Sequence, residues 1–253
     1  MADARSNNIP SFLLIGGTGD AVQINEALSD RSDLHLITSL AGRTVVPAAL
    51  KGEVLPDGFT DHGGLEEFLK QRKISAVIDA THPFAEIISQ KALCICQKRG
   101  ITYLRYERPP WEKTKRDNWI IVPDMAEAVS RVGLFERVFL SVGRQEAASF
   151  EGQPCSFFLL RSIEPVAFSS DKAEVVHILN KGPFTLEKEL ALLAEHRIDV
   201  LVSKNSGGQA TYPKIEAARK LDLPIIMIDR PQIASGGEVS SLTELEAELR
   251  LSF

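Results

Sequence analysis

Short runs of Val, Ile, Leu and Phe recur along the chain, separated by longer stretches in which apolar residues return every third or fourth position. The runs have the pattern of strands buried on both faces and the stretches that of amphipathic helices, so their alternation predicts βα units around a parallel sheet, an α/β class. "SFLLIGG", "LHLITS" and "SAVIDA" read as the first three strands, and the helix after the first carries Ala21, Ile24 and Leu28 on one face. A helix from Ile87 to Arg99 sets Ile88, Ala92 and Ile95 one turn apart, stops at Gly100 and leads into the strand "ITYLR". The next segment, "RYERPPWEKTKRDNW", is dense in Pro and charge and cannot continue a helix past Pro109 and Pro110. It predicts a boundary between a first domain over 1–107 and a second over 108–253. In the second half, "WIIV", "RVFLSVG", "SFFLLRS" and "EVVHIL" restart the strands, and a helix follows with Leu186, Leu190 and Leu193 on one face. "IDVLVSK" and "PIIMIDRP" are the last two predicted strands, a helix between them ends near Leu221, and Thr243 with Glu246 predicts a capping box for the final helix. No sequence repeat of fixed period runs through the chain.

Composition narrows the partners. The 253 residues, 44% hydrophobic, suffice for one or two cores. A net charge of −5 supplies no global basic field, so neither nucleic acid nor an anionic membrane is an expected partner. No apolar run approaches the roughly 20 residues that cross a bilayer, and "MADARSNNIP" lacks the apolar centre of a signal peptide, so the cytoplasm is the expected compartment. The three cysteines, two of them Cys94 and Cys96 in a helical pattern, form neither a CxxC pair nor a metal spacing. They predict thiols and no metal site.

Candidate chemistry sits in the loops that follow strands. "LLIGGTGDAV" puts Gly16, Gly17 and Gly19 around Thr18 at a strand-to-helix turn, where backbone amides can face a phosphate; the same glycines would also serve an ordinary tight turn. As a G-x-G-x-x-G fingerprint it has Val22 at the third glycine position. The second strand ends in "TSLAGR", with Ser39 and Arg43 where an NAD site would carry Asp or Glu, which favours a 2′-phosphate and hence NADP. Taken alone, Arg43 reads rather as a solvated loop arginine. In "DATHPFA", either Asp79 and Thr81 cap the next helix and His82 is structural, or the loop borders a nucleotide lying on the Gly-rich turn. "SKNSGGQATYPK" offers Lys204, Ser206, Thr211 and Lys214 around glycines that include Gly207, either an anion cradle or a flexible hairpin-like loop. Gly143 and Arg144 follow a further buried strand in the same manner.

Taken together and in order, "GGTGDA", "TSLAGRT", "DATHPFA", "LRYERPPW", "FLSVGRQ" and "LVSKNSGGQATYPKIEAARKLDLPIIMIDRP" resemble the precorrin-6A reductase family of cobalamin biosynthesis across nearly the whole chain. One stretch departs from the family, which carries "GGFGG" where this chain has "PDGFTDHGGLEEFL", so no role passes to Phe59–Gly64. The resemblance implies two Rossmann-like domains with mainly parallel sheets and a cleft between them. It further implies reduction of a conjugated tetrapyrrole by NADPH, hydride going to C19 and a proton to C18, which converts precorrin-6A to precorrin-6B. On that basis Gly16, Gly17, Thr18, Gly19, Ser39, Arg43, Asp79 and Thr81 are expected to hold NADPH, with Thr81 and His82 as the catalytic pair against the reacting ring edges. The substrate's carboxylates are expected to meet Arg105, Arg144, Lys204, Ser206, Gly207, Thr211 and Lys214. Two other expectations compete: a non-catalytic NADP-binding sensor, which would need no polar loops in the second half, and another NADP-dependent reductase. A short-chain dehydrogenase is excluded. Its Tyr and Lys four residues apart have no counterpart, since Tyr103, Tyr106 and Tyr212 are followed four positions on by Glu107, Pro110 and Glu216.

Overall fold

The computed structural model describes residues 9–40, 50–233 and 237–252. It divides the chain into two compact units, one of residues 1–108 together with 232–253 and one of residues 109–231. The first boundary, between Arg108 and Pro109, lies within the Pro-rich segment. The assignment of all of 108–253 to one domain is corrected, because the C-terminal segment returns to the first unit.

The first unit contains β1 (Ser11–Ile15), α1 (Gly19–Leu28), β2 (His35–Ser39), β3 (Glu53–Leu55), α2 (Leu65–Gln71), β4 (Ile74–Asp79), α3 (Glu86–Arg99) and β5 (Thr102–Tyr106). From the C-terminus it takes β12 (Glu238–Val239) and α8 (Leu242–Ser252). Its sheet runs β12-β5-β4-β1-β2-β3, every pair parallel. Strands in such a sheet are covered on both faces, which is why β1 and β4 carry the apolar runs Phe12–Ile15 and Ala76–Ile78. Phe12, Leu14, Ile24, Leu28, Ile78 and Leu245 pack on one face, and Leu13, Ile15, Phe68, Val77, Leu93 and Cys96 on the other. The short β3 and two-residue β12 escaped the sequence pattern because neither is long enough to show a period.

The second unit contains β6 (Trp119–Val122), α4 (Met125–Val132), β7 (Arg137–Ser141), the single turn α5 (Arg144–Ala147), β8 (Phe157–Ser162), β9 (Glu174–Leu179), α6 (Leu186–Glu195), β10 (Val200–Lys204), α7 (Pro213–Lys220) and β11 (Ile225–Ile228). Its sheet, β6-β11-β10-β7-β8-β9, is again wholly parallel. Counted from β1 and from β7, both units follow the doubly wound order 3-2-1-4-5 with one extra strand beyond the fifth. In the first unit that strand is β12 from the chain's end; in the second it is β6, which precedes the rest. The sequence shows no repeat, yet the topology repeats.

Local signals act mostly as expected. Thr18, Asp124 and Thr185 cap α1, α4 and α6 with their side-chain oxygens, and Gly100 closes α3 at φ 66°. The capping box of α8 is displaced from Thr243 and Glu246: Ser241 Oγ accepts from Glu244 N, and the Glu244 carboxylate accepts from Ser240 N at 2.7 Å. The same S/T-x-x-E spacing occurs twice in "SSLTELEAE", and the earlier copy wins because Ser241 already accepts the first helical bond, from Leu245 N.

Candidate functional site

A doubly wound sheet opens a crevice where the strand order reverses, between β1 and β4 in the first unit and between β7 and β10 in the second. Apart from "TSLAGR" at the end of β2, the loops singled out by their composition leave these four strands.

In the first unit, β1 runs into Gly16–Thr18. Gly16 is buried, its N–H donates to Ser39 O, and a Cβ there would lie 3.0 Å from Ala21 Cβ, so the glycine lets α1 pack close on the strand. Gly17 is exposed at φ 108° with open space around the Cβ position, a conformation that favours glycine and leaves the turn accessible. Thr18 accepts from Ala21 N at 3.1 Å and donates to Ala80 O at 2.7 Å, joining the Gly-rich turn to the loop after β4. The exposed Gly17 and Gly19 and the capped start of α1 fit a phosphate group.

The loop after β4 is held from beneath by a buried ionic network. Asp79 Oδ1 accepts from Thr81 N at 3.0 Å, and Oδ2 accepts from Tyr103 Oη at 2.7 Å and Arg105 Nη1 at 3.0 Å. Arg105, 1% exposed, also donates from Nη1 to Ser89 Oγ at 2.6 Å and from Nε to Glu107 at 2.7 Å. Burial opposes its charge, but the Glu107 and Asp79 carboxylates outweigh that and raise the guanidinium pKa. The Tyr103 hydroxyl is pushed well up, first by burial and then by Asp79 beside it. Thr81 Oγ1 lies 3.3 Å from Ser89 Oγ, and His82 Nδ1 accepts from Phe84 N at 3.2 Å with its ring 5.7 Å from the Phe84 ring.

Two expectations are corrected by this geometry. Asp79 has both oxygens occupied inside the protein, so it braces the loop and does not reach a cofactor. Arg105 is closed off in the interior and cannot meet a substrate carboxylate. Nor do Asp79 and Thr81 cap α3, whose N-cap is Ala85 with no side-chain bond. Ser39 is 1% exposed at the end of β2, so its hydroxyl is turned inward, while Arg43 lies outside the described residues. Thr81 and His82 remain at the strand end beside the Gly-rich turn.

In the second unit, Gly143 at φ 107° holds the place after β7 that Gly17 holds after β1. Arg144 is exposed and pairs with Glu164 at 2.7 Å; Lys204, at the end of β10, pairs with Glu146. The following loop is packed tightly. Asn205 mimics a strand partner for Trp111, accepting from its N at 2.8 Å and donating to its O at 3.1 Å, while Trp111 Nε1 donates to Gly208 O at 2.9 Å. Gly207 stands at φ 66°, and a Cβ there would fall 2.2 Å from Pro109 O, so this glycine has a packing reason of its own. The flexible-loop alternative therefore fails. Ser206 is buried in the loop, and Thr211 is half-buried ahead of α7.

Lys214 is 4% exposed, its ammonium 3.0 Å from Ser141 Oγ and 5.4 Å from the Trp111 ring centre. Burial, reinforced by Arg161, lowers its pKa to about 7. Its expected role as an open surface cation is corrected to that of a buried amine at the crevice of the second sheet. Close by, the buried Arg161 and Glu189 pair at 2.5 Å, with the guanidinium 3.9 Å from the Phe184 ring centre. Ser89, Glu107, Asn205, Arg161 and Glu189 were not legible as site residues. Only Arg161, an arginine inside the apolar run "FFLLRS", carried a signal. Among the described residues no group of three or more His, Cys, Asp or Glu could hold a metal ion, and no helix is long and apolar enough to cross a membrane.

Residues 11–250 match the family model described as precorrin-6x reductase CbiJ/CobK. A precorrin-6A reductase of Sinorhizobium sp is 39% identical over 243 residues, covering 96% of this chain and 93% of that protein. A cobalt-precorrin-6A reductase of Methanocaldococcus jannaschii is 29% identical over 235 residues, covering 88% and 91%. A solved structure of a CobK precorrin-6A reductase superposes with a TM-score of 0.88 at 34% identity, covering 96% of this chain and 97% of that one.

Proposed function

The chain belongs to the precorrin-6x reductase family, and from that premise we propose that it reduces precorrin-6A to precorrin-6B with NADPH in cobalamin biosynthesis. The observation that carries the proposal is the family match over residues 11–250 combined with the open Gly17 turn beside Thr81 at the crevice of the first sheet. NADPH, when bound, supplies the hydride that goes to C19. The chain's residues do the positioning, which in hydride transfer is most of the work. The turn of Gly16, Gly17, Thr18 and Gly19 takes the phosphates, and Thr81 and His82 border the nicotinamide. Arg144, Lys204, Ser206 and Thr211 are assigned to the macrocycle's carboxylates, the two cations exchanging Glu164 and Glu146 for substrate. The substrate is taken to be metal-free, since the relative named for precorrin-6A is more similar than the one named for the cobalt form.

The preference for NADPH follows from a second strand that ends without a carboxylate to accept the ribose hydroxyls, with Arg43 nearby in sequence. A charge-assisted hydrogen bond contributes about 1.5 to 3 kcal/mol. Arg43→Ala should therefore narrow the NADPH-to-NADH ratio of kcat/KM by roughly 10- to 100-fold, through weaker NADPH binding. The decisive assay incubates the purified protein with NADPH and precorrin-6A, following loss of reduced cofactor and a product heavier by two hydrogens. No turnover with the metal-free substrate, or an enzyme indifferent to the 2′-phosphate, refutes the respective part.

A further inference from the structure

We propose that Ser89 is a positioning residue that turns the Thr81 hydroxyl into a fixed hydrogen-bond donor toward an amide carbonyl oxygen on the nicotinamide half of the cofactor. The inference rests on the cofactor reading above and goes beyond it by assigning a direction to each proton behind the loop.

Donor capacity fixes the direction of the contact with Arg105. A guanidinium has only donors, so in the 2.6 Å contact Arg105 Nη1 donates and Ser89 Oγ accepts. The second Nη1 proton goes to Asp79 Oδ2 and the Nε proton to Glu107, which hold the guanidinium at both ends in a place 1% exposed. Ser89 is 0% exposed, and its backbone N–H is already spent on Ala85 O. Ser89 Oγ keeps its proton and a second lone pair, so either hydroxyl can donate across the 3.3 Å contact with Thr81 Oγ1, and the direction proposed has Ser89 as the donor. If Ser89 donates there, Thr81 Oγ1 is an acceptor on its inner side, and its own proton points away from the network. The Thr81 main chain has no freedom to undo this, because Asp79 Oδ1 fixes its N–H and Thr18 fixes the preceding carbonyl, Ala80 O. A hydroxyl with its acceptor side filled from behind is matched to a ligand acceptor, and beside a dinucleotide's phosphate turn the carboxamide oxygen is a group of that kind. The relay thus runs from Arg105 through Ser89 to Thr81, and its charged end lies in the interior where solvent does not compete.

The test titrates the full chain with NADP+ and with the same molecule lacking nicotinamide, 2′-phospho-ADP-ribose, for wild type, Ser89→Ala, Thr81→Val and the double variant. Losing one neutral hydrogen bond weakens binding by about 3- to 10-fold. Ser89→Ala and Thr81→Val should each show this loss for NADP+ and none for 2′-phospho-ADP-ribose. The double variant should be no weaker than Thr81→Val alone, because both substitutions remove one interaction. Equal weakening toward both ligands would mark mere structural damage and overturn the proposal; so would additive losses, or an unchanged Ser89→Ala. If Ser89→Ala melts well below wild type, Ser89→Cys, of similar size with a weak donor, replaces it under the same criteria. A wild type that binds 2′-phospho-ADP-ribose but not NADP+ removes the proposal, and one that binds neither removes the cofactor reading with it.

Discussion

Replacing Lys214 by Met tests whether the amine at the second crevice is held against its own charge. The group is 4% exposed at the first turn of α7, and its ammonium has a hydroxyl and an indole face for company. Burial first, then repulsion by Arg161, take its pKa from 10.5 to about 7, Lys204 adding to the repulsion and Glu189 opposing it. In the unfolded chain the lysine keeps its proton to about pH 10.5, whereas in the folded chain it sheds it near pH 7. Between those values the folded state binds fewer protons, so stability rises with pH across the window. Below pH 7 both states are protonated and the whole cost of the buried charge is present. With these two values, linkage gives a gain on the order of 3 kcal/mol between about pH 6 and about pH 9. Lys214→Met is nearly isosteric and does not titrate, so the wild-type minus variant difference isolates the term. The assay is urea unfolding across that range, followed by tryptophan fluorescence, because both tryptophans of the chain, Trp111 and Trp119, belong to the second unit. Curves for the two proteins that stay parallel within about 0.5 kcal/mol would show that the amine is solvated or paired, and would refute the reasoning.

Two further substitutions probe the frames beneath the two crevices. Asp79→Asn strips a buried cation of its partner and should destabilise the first unit by about 3 to 5 kcal/mol, measured as a shift in the urea midpoint by circular dichroism; a loss under about 1 kcal/mol would mean Glu107 alone suffices for Arg105. Gly207→Ala combines φ 66° with a Cβ placed 2.2 Å from Pro109 O, and should cost at least about 2 kcal/mol in the tryptophan-monitored transition. An unaltered midpoint there would show that the loop opens freely.

The alternation of apolar runs with amphipathic segments determined the class, most of the strands and the loops that carry chemistry, because strand and helix periods are local properties of a few consecutive residues. "DATHPFA" and "SKNSGG" stood out because their polar residues follow directly on buried strands. What each of those residues does was decided only in three dimensions. Asp79 and Arg105 lie 26 positions apart and meet because β4 and β5 pair in register, Asp79 beside Arg105. Asn205 and Trp111 are separated by 94 positions, and no local pattern announces that a side chain will stand in for a strand. The return of β12 and α8 to the first unit joins a two-residue strand, too short to show any period, to β5 and buries Leu245 and Leu249 in that unit's core. Burial inverted three expectations for the same reason. A sequence shows that a residue can carry charge, but whether that charge faces a ligand or a neighbour depends on which elements enclose it, and Arg105, Asp79 and Lys214 are enclosed by strands and helices distant in the chain.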